Sequence, residues 1–281
     1  MEFTGSNFSE VYQRMCRALL EQGTESNPRA MPIRELLGVS MRLSNPRTRM
    51  LDVPKKKLPA SFAIGEWLWT IEAREDLDFI RYYAPSYGRF SDDGVMLNGA
   101  YGPRIVPELE KIVGLLKQDV DSRRALVPIY AQRDVAKDSR DIPCTTTLQF
   151  LIRGGKLTMI TTMRSNDIIL GMPFDVFNFT MIQEWMACRL GLDVGEYIHF
   201  AGSLHYYGSD EEKLRAIISE PAVSTFEMPA MNPETLPEEL EQFMKLEAEL
   251  RETGKSEIEV SGYFAPFAEV LTKYAQEKHG K

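Results

Sequence analysis

The chain has 281 residues, 43% of them hydrophobic and 26% charged, enough to bury a sizeable core. Its 41 acidic residues outnumber 33 basic ones for a net charge of −8, which argues against a broad nucleic-acid surface, because phosphate-backbone binding needs an excess of Lys and Arg. Three cysteines and three histidines, irregularly spaced, are too few for a disulfide framework or a metal centre. No apolar run approaches the ~20 residues that cross a bilayer. Residues 1–9 lack the basic flank and apolar stretch of a signal peptide, so the expectation is a cytoplasmic globular protein.

Residues 8–22 place Val11, Met15, Ala18 and Leu19 at helical spacing. Residues 45–59, with Pro46, Pro54, Pro59 and the run Lys55-Lys56-Lys57, read as a loop whose lysines face solvent. Residues 61–70 are apolar and helix-like, with Glu66 set among Ile64, Trp67, Leu68 and Trp69. Residues 85–103, rich in Gly, Ser, Asp and Asn, form a long irregular segment of the kind that often carries function. Residues 148–152 and 157–162 flank Arg153-Gly154-Gly155-Lys156 and predict a hairpin. Residues 176–190 carry Phe177, Met181, Trp185 and Cys188 at helical intervals, with Gly191 as a stop. Residues 196–207 read as a strand, and residues 233–253 as an amphipathic surface helix. There is no internal repeat or low-complexity linker, and the irregular alternation of elements predicts one α+β domain over residues 1–281.

Taken singly, each polar candidate has a plain structural explanation. Cys144 reads as a small buried hydrophobe, Arg164 as an ion-pair residue and Asp175 as a helix N-cap before Val176. His205 and Tyr207 alternate on a strand, and Arg123-Arg124 reads as a charged turn. Their succession carries more. Pro143-Cys144 is followed by Met163-Arg164-Ser165-Asn166-Asp167 and Leu170-Gly171-Met172-Pro173-Phe174-Asp175. Gly195-Glu196-Tyr197 and Gly202-Ser203-Leu204-His205-Tyr206-Tyr207 come next. Upstream stand Glu66-Trp67-Leu68-Trp69, Tyr101-Gly102 and Asp121-Ser122-Arg123-Arg124. This ordered, collinear set resembles the thymidylate synthase family over residues 35–210.

The resemblance implies an α+β fold, a large twisted mixed β-sheet backed by helices, dimerising through the sheet face. It implies a pyrimidine nucleoside monophosphate as substrate and 5,10-methylenetetrahydrofolate as co-substrate. A pyrimidine is inert at C5 until a nucleophile adds at C6, and Cys144 matches the family's nucleophile. A free thiol has a pKa of about 8.5, so neighbouring positive charge is needed to raise the thiolate fraction. Arg164 matches an arginine that lies beside the sulfur and, with Ser165, binds the phosphate. Arg123 and Arg124 match a pair that reaches across a homodimer, and Arg29 supplies a fourth guanidinium for a dianionic phosphate. Asp167 matches the carboxylate that binds the pterin, and Glu66 the acid that organises water and moves protons. Tyr101 matches a residue that removes the C5 proton through water, and His205 and Tyr207 match the pair on the sugar hydroxyl.

Departures from the family pattern point to a branch. Asp175 stands where a dUMP-using synthase has Asn, as in the phage-type dCMP hydroxymethylases. Protonated, it can accept from the cytosine amino group and donate to N3. Ionised, it can pair with an N3-protonated ring. Either leaves uracil mismatched, and mismatched buried polar groups discriminate strongly. Tyr87 falls at the position of the tryptophan that shields the exocyclic carbon, where it would face the folate. Residues 273–281 are charged, unlike an apolar capping tail, and Thr145 replaces a histidine after the nucleophile. A wetter site favours capture of the carbon by water. The leading expectation is a deoxycytidylate 5-hydroxymethyltransferase. The alternatives are a CMP 5-hydroxymethylase of nucleoside-antibiotic type, a synthase or dCMP methyltransferase that keeps hydride transfer, and a nucleotide- or mRNA-binding regulator.

Overall fold

The computed structural model describes residues 1–53, 55–135, 137–222 and 226–280. Pro54 and Lys281 therefore lie outside the described residues. The chain opens with strand β1 (Glu2–Gly5) and helix α1 (Phe8–Gln22). Asn7 caps α1 by accepting from the Ser9 and Glu10 amides, at 2.8 and 3.3 Å. Short β2 (Thr24–Ser26) and long β3 (Ile33–Leu43) follow, then the two-residue strands β4 (Asp52–Val53) and β5 (Lys56–Lys57). Helices α2 (Ala60–Ile71), α3 (Leu77–Tyr83) and α4 (Gly102–Gln118) precede β6 (Leu126–Pro128) and β7 (Thr145–Arg153). Next come β8 (Lys156–Met163), β9 (Asn166–Asp167), α5 (Met172–Leu190) and β10 (Asp193–Tyr207). Helices α6 (Glu211–Ile217), α7 (Leu236–Thr253) and α8 (Ala265–His279) end the chain.

Eight strands form one mixed sheet in the order β1-β3-β10-β8-β7-β6, with β2 paired to β3 and β9 to β10. β10 is the hinge of the arrangement: it runs antiparallel to β3 but parallel to β8 and β9. The β7–β8 hairpin turns through Gly154 and Gly155, with φ of 58° and 72°, a left-handed pair that glycine adopts without a Cβ clash. Alternation sorts the strands into two faces. Leu148, Phe150, Leu157, Met159 and Tyr197 are buried in the apolar core with α2 and α5, whereas Leu151, Ile160 and Ile198 stay half-buried and Phe200 is 37% exposed on the other face. The expected α+β architecture, a large mixed sheet backed by helices, is what the chain builds.

Three local expectations need correction. Helix α5 begins at Met172, four residues before the apolar spacing becomes regular, because Pro173 fits the helix's first turn. Asp175 is thus a first-turn residue whose amide donates to the Gly171 carbonyl at 3.0 Å, and not an N-cap. Residues 45–59 are a loop interrupted by the β4–β5 pair, and Lys56 is half-buried and not simply solvated.

That loop is pinned to α5 by Glu184. Its carboxylate accepts from Arg47 Nε at 2.7 Å, from the wholly buried Arg49 and from the Met231 amide at 3.2 Å. Removing one partner of a buried pair strands the other's charge. Glu184→Ala is expected to lower unfolding free energy by about 3–5 kcal/mol, read as a shift in the urea midpoint. A change within error would show that the loop is held by other contacts.

Candidate active site

Cys144 sits at the end of a loop, immediately before β7. Its carbonyl accepts from the Arg164 amide at 2.8 Å. The Arg164 guanidinium donates to the carbonyls of Pro143 and Ile142, at 2.9 and 3.0 Å, so the arginine clamps the segment that bears the thiol. Burial pushes the Cys144 thiol above its ordinary range, and Asp175 and Asp141 add to the push. Arg164 and Arg29 pull the other way, which places both guanidinium groups in the sulfur's field. Burial wins: nearby arginines alone do not make the free thiol a thiolate here. Arg29 lies on the turn Pro28–Ala30 with φ 52°, a left-handed conformation uncommon for a non-glycine residue.

Two carboxyl groups face this sulfur's surroundings from different helices. Glu66, on α2, is raised to about 7 because burial disfavours its charge, against a hydrogen bond donated by Tyr87 Oη at 2.8 Å. Asp175, on α5, is raised to about 8, first by burial and then by the Glu66 charge, although Asn166 Nδ2 donates to its Oδ2 at 2.8 Å. Tyr101 links Asp175 to the loop that carries Cys144. Its hydroxyl oxygen accepts from the Thr145 amide at 3.3 Å, and both Asp175 and Cys144 help raise its pKa. One wall is aromatic: Phe62 meets Phe174 at 4.6 Å and Tyr87 at 5.5 Å between ring centroids.

A second group lies along β9 and β10. Asp167 Oδ1 accepts from the Ile169 and Leu170 amides at 2.8 and 3.2 Å, which ties half of its carboxylate to the following turn. Burial raises this carboxyl, while His205 in its field lowers it. His205 is buried with Nδ1 lacking a partner, and its ring stands edge-on to Tyr207 at 5.4 Å. Lys56 also faces Asp167, and burial lowers its pKa. Ser165 is half-buried between Arg164 and β9. Arg123 and Arg124 are not drawn into this cluster within one chain. They are exposed on the turn before edge strand β6, without an ion pair among the described residues.

Hydrogen bonds and electrostatics thus join Cys144, Arg164, Arg29, Glu66, Tyr87, Tyr101 and Asp175, with Asp167, His205 and Tyr207 alongside. Lys56, Asn166, His199 and Tyr197 join the site only through the structure: Asn166 and Tyr197 stand in the family motifs without a role of their own, and Lys56 reads as a solvated lysine. No sequence signal marked His199. Among the described residues no group of three or more His, Cys, Asp or Glu side chains converges as a metal site, and no helix is long and apolar enough to cross a membrane.

A thiol, a guanidinium bonded to its loop and two carboxyls with raised pKa form one polar cluster beside a mixed sheet. The family described as Thymidylate synthase matches residues 10–264, and the chain belongs to that family. The match reaches well past residues 35–210 on both sides. The chain is 31% identical over 226 residues to the deoxyuridylate hydroxymethyltransferase of Bacillus phage SP01, covering 74% of this chain and 59% of that protein. It is 28% identical over 198 residues to the protein of the same name from Delftia phage PhiW-14, covering 65% and 56%. The chain therefore spans less than two thirds of the length of these relatives. Its fold matches thermostable thymidylate synthase A from Bacillus subtilis with a TM-score of 0.67 at 21% identity, over 78% of this chain and 86% of that one.

The raised carboxyls fix a pH signature. Folded Glu66 and Asp175 hold protons up to about pH 7 and 8, whereas unfolded carboxyls release theirs near pH 4. The folded state therefore binds more protons between those limits, and stability falls as pH rises through them. Asp175→Asn is expected to gain about 4–5 kcal/mol over the parent at pH 8 relative to pH 4, measured by urea unfolding at both values. An equal difference at the two pH values would contradict a neutral Asp175.

Proposed function

We propose that this chain transfers a hydroxymethyl group to C5 of a pyrimidine nucleoside monophosphate, with dCMP as the preferred base carrier. The single observation that carries the reading is Asp175, a carboxyl kept neutral to about pH 8 in the pocket that also holds Glu66 and Tyr101 and faces Cys144. In this reading Cys144 Sγ adds at C6 of the base, which makes C5 nucleophilic. Its proton passes to solvent water on binding, and substrate-linked displacement of water around Arg164 and Arg29 strengthens their pull on the sulfur. Arg164 and Ser165 bind the nucleotide phosphate. His205 and Tyr207 hold the sugar, where the unpartnered His205 Nδ1 has a hydrogen bond to give or take. Neutral Asp175 donates to N3 and accepts from the 4-amino group of cytosine.

The family uses methylenetetrahydrofolate as co-substrate, and it supplies carbon at the oxidation level of formaldehyde. The residues present fit it. The wall of Phe62, Tyr87 and Phe174 offers aromatic faces, and Asp167 keeps one carboxylate oxygen free of the backbone bonds that occupy the other. Lys56 faces the same carboxylate. Glu66, near pH 7 half-protonated, holds or gives a proton beside that wall, with Tyr87 Oη bonded to it. Tyr101, bonded to the Thr145 amide, is poised between Asp175 and Cys144 to hold water that takes the C5 proton. Tyr87 presents a phenol hydroxyl in place of a bulkier indole, which favours water at the exocyclic carbon. Once tetrahydrofolate has left, water adds there, the C6–S bond to Cys144 breaks and the product is hydroxymethyl. The phage relatives are named as hydroxymethyltransferases.

One second reading has an observation behind it: the same relatives are named for deoxyuridylate. A neutral carboxyl can also accept from uracil N3–H and donate to O4, so dUMP is the competing substrate. Incubation with dCMP, CMP or dUMP and labelled methylenetetrahydrofolate, followed by product mass, separates the readings. The expected result is a hydroxymethyl adduct with dCMP foremost and no absorbance growth from dihydrofolate. Cys144→Ala is expected to lose about 10³-fold or more, and Asp175→Asn to move preference towards dUMP by about 10²-fold. A methyl product, or no turnover of any pyrimidine nucleotide, would overturn the proposal.

We also propose a homodimer through the sheet face that carries Leu151, Ile160, Ile198 and Phe200. Arg123 and Arg124, exposed and without ion pairs among the described residues, would then serve the neighbouring site. Mixing Cys144→Ala and Arg124→Ala chains is expected to restore up to about a quarter of parental activity through heterodimers with one intact site, a rough statistical value. Confirmed heterodimers without any recovery would rule out shared sites.

A further inference from the structure

A line of side chains behind Asp175 has no part in the steps above. Tyr197 Oη lies 2.9 Å from His199 Nδ1, His199 Nε2 lies 2.9 Å from Asn166 Oδ1, and Asn166 Nδ2 donates to Asp175 Oδ2 at 2.8 Å. Tyr197 and His199 come from β10, Asn166 from β9 and Asp175 from α5. Tyr197, His199 and Asn166 are all buried. Burial holds the His199 pKa down at about 4, so the ring is neutral near pH 7 and carries a single N–H. Asn166 Oδ1 can only accept, which puts that proton on Nε2. Nδ1 must then accept from the Tyr197 hydroxyl. With the Asn166 amide set with Oδ1 towards His199 and Nδ2 towards Asp175, each bond in the line runs one way and its last N–H points at Asp175 Oδ2.

This matters because a neutral carboxyl is ambivalent. With the proton on one oxygen it complements the N3 and 4-amino edge of cytosine; with the proton on the other it complements the N3–H and 4-keto edge of uracil. The thioether bond at C6 would fix the ring's place, so the two states differ only in which oxygen is the hydroxyl. An oxygen that already accepts an N–H is the better carbonyl and the poorer hydroxyl. We infer that Asn166, oriented by His199 and Tyr197, fixes the Asp175 proton on Oδ1 and thereby sets the choice between amino- and keto-bearing pyrimidines. The inference rests on the reading that Asp175 meets the base edge. Cytosine is matched when Oδ1 faces N3 and Oδ2 accepts from both Asn166 and the amino group. Gly171 belongs to the same arrangement: a Cβ there would lie 3.3 Å from both Asn166 Nδ2 and Asp175 Oδ2, tight against each end of the final hydrogen bond.

Asn166 is a positioning residue, and its test is a ratio. The kcat/KM values for dCMP and dUMP are measured with methylenetetrahydrofolate on the full chain, for the parent, Asn166→Leu and His199→Leu. Each ratio is internal to one preparation, so a smaller folded fraction leaves it unchanged. Both variants are expected to shrink the parental preference by about tenfold, since each frees the proton to occupy either oxygen. The pH profile gives a second reading. The Asn166 hydrogen bond lowers the Asp175 pKa, so Asn166→Leu is expected to move the alkaline limb to higher pH. Glu66, Asp167, Cys144, Tyr87, Tyr101 and Tyr197 also face Asp175 and are unchanged in that variant. A preference that stays the same in both variants, with an unmoved limb, overturns the inference even where dCMP is the better substrate. A parent that prefers dUMP overturns it as well, because a proton fixed on Oδ1 matches cytosine and not uracil.

Discussion

Glu66 and Asp175 belong to one cluster of partly buried side chains in which ionising both carboxyls is disfavoured. Burial raises both, and the charge of Glu66 raises Asp175 further. Near neutrality the pair therefore carries at most about one charge and stores at least one proton. Everything else in the site follows from where that proton goes. Tyr87 stabilises charge on Glu66 by donating to it, and Asn166 stabilises the carbonyl side of Asp175. The Cys144 thiol also stays protonated until its environment changes. Arg164 and Arg29 supply fixed positive charge in the field of the sulfur.

Such a cluster has to be held in place by the scaffold, because mismatched polar groups would otherwise collapse onto each other or admit water. The two acids ride on α2 and α5, helices with broad apolar surfaces packed in the same core. Arg164 fixes the thiol loop by three backbone contacts and so cannot swing freely. β10 carries both the His205/Tyr207 pair and the His199/Tyr197 pair, on a strand bonded to neighbours at both edges. The C-terminal helices lean on the back of this assembly: Phe264 stacks on Trp67, next to Glu66 in sequence, and Tyr274 donates to the Tyr82 carbonyl on α3. The site's geometry is therefore set by secondary structure and not by loops alone.

Several elements were legible from local pattern. The α1 stripe, the Gly154-Gly155 hairpin and the Glu66-bearing helix are specified by residues close in sequence, and the family motifs pointed to the thiol, the arginines and both acids. β1 to β3 were not read, because Ile33–Leu43 mixes buried and exposed positions around Gly38, whose φ of 63° breaks the alternation. The start of α5 was misplaced because its apolar spacing becomes regular only after Asp175. The relay behind Asp175 was not legible as a unit: Asn166 and His199 are 33 positions apart and meet only once β8 and β9 both lie beside β10. Base choice was legible only to the level of a carboxyl, since a neutral acid serves two opposite hydrogen-bond patterns.

The most direct test of the account is the carboxyl stretching region of the infrared difference spectrum between the parent and Asp175→Asn, recorded at pH 7 without nucleotide. A protonated-carboxyl band present in the parent and missing from the variant is the predicted result. A difference confined to carboxylate bands would mean that Asp175 is ionised, and the stored proton on which the site's chemistry is built would not exist.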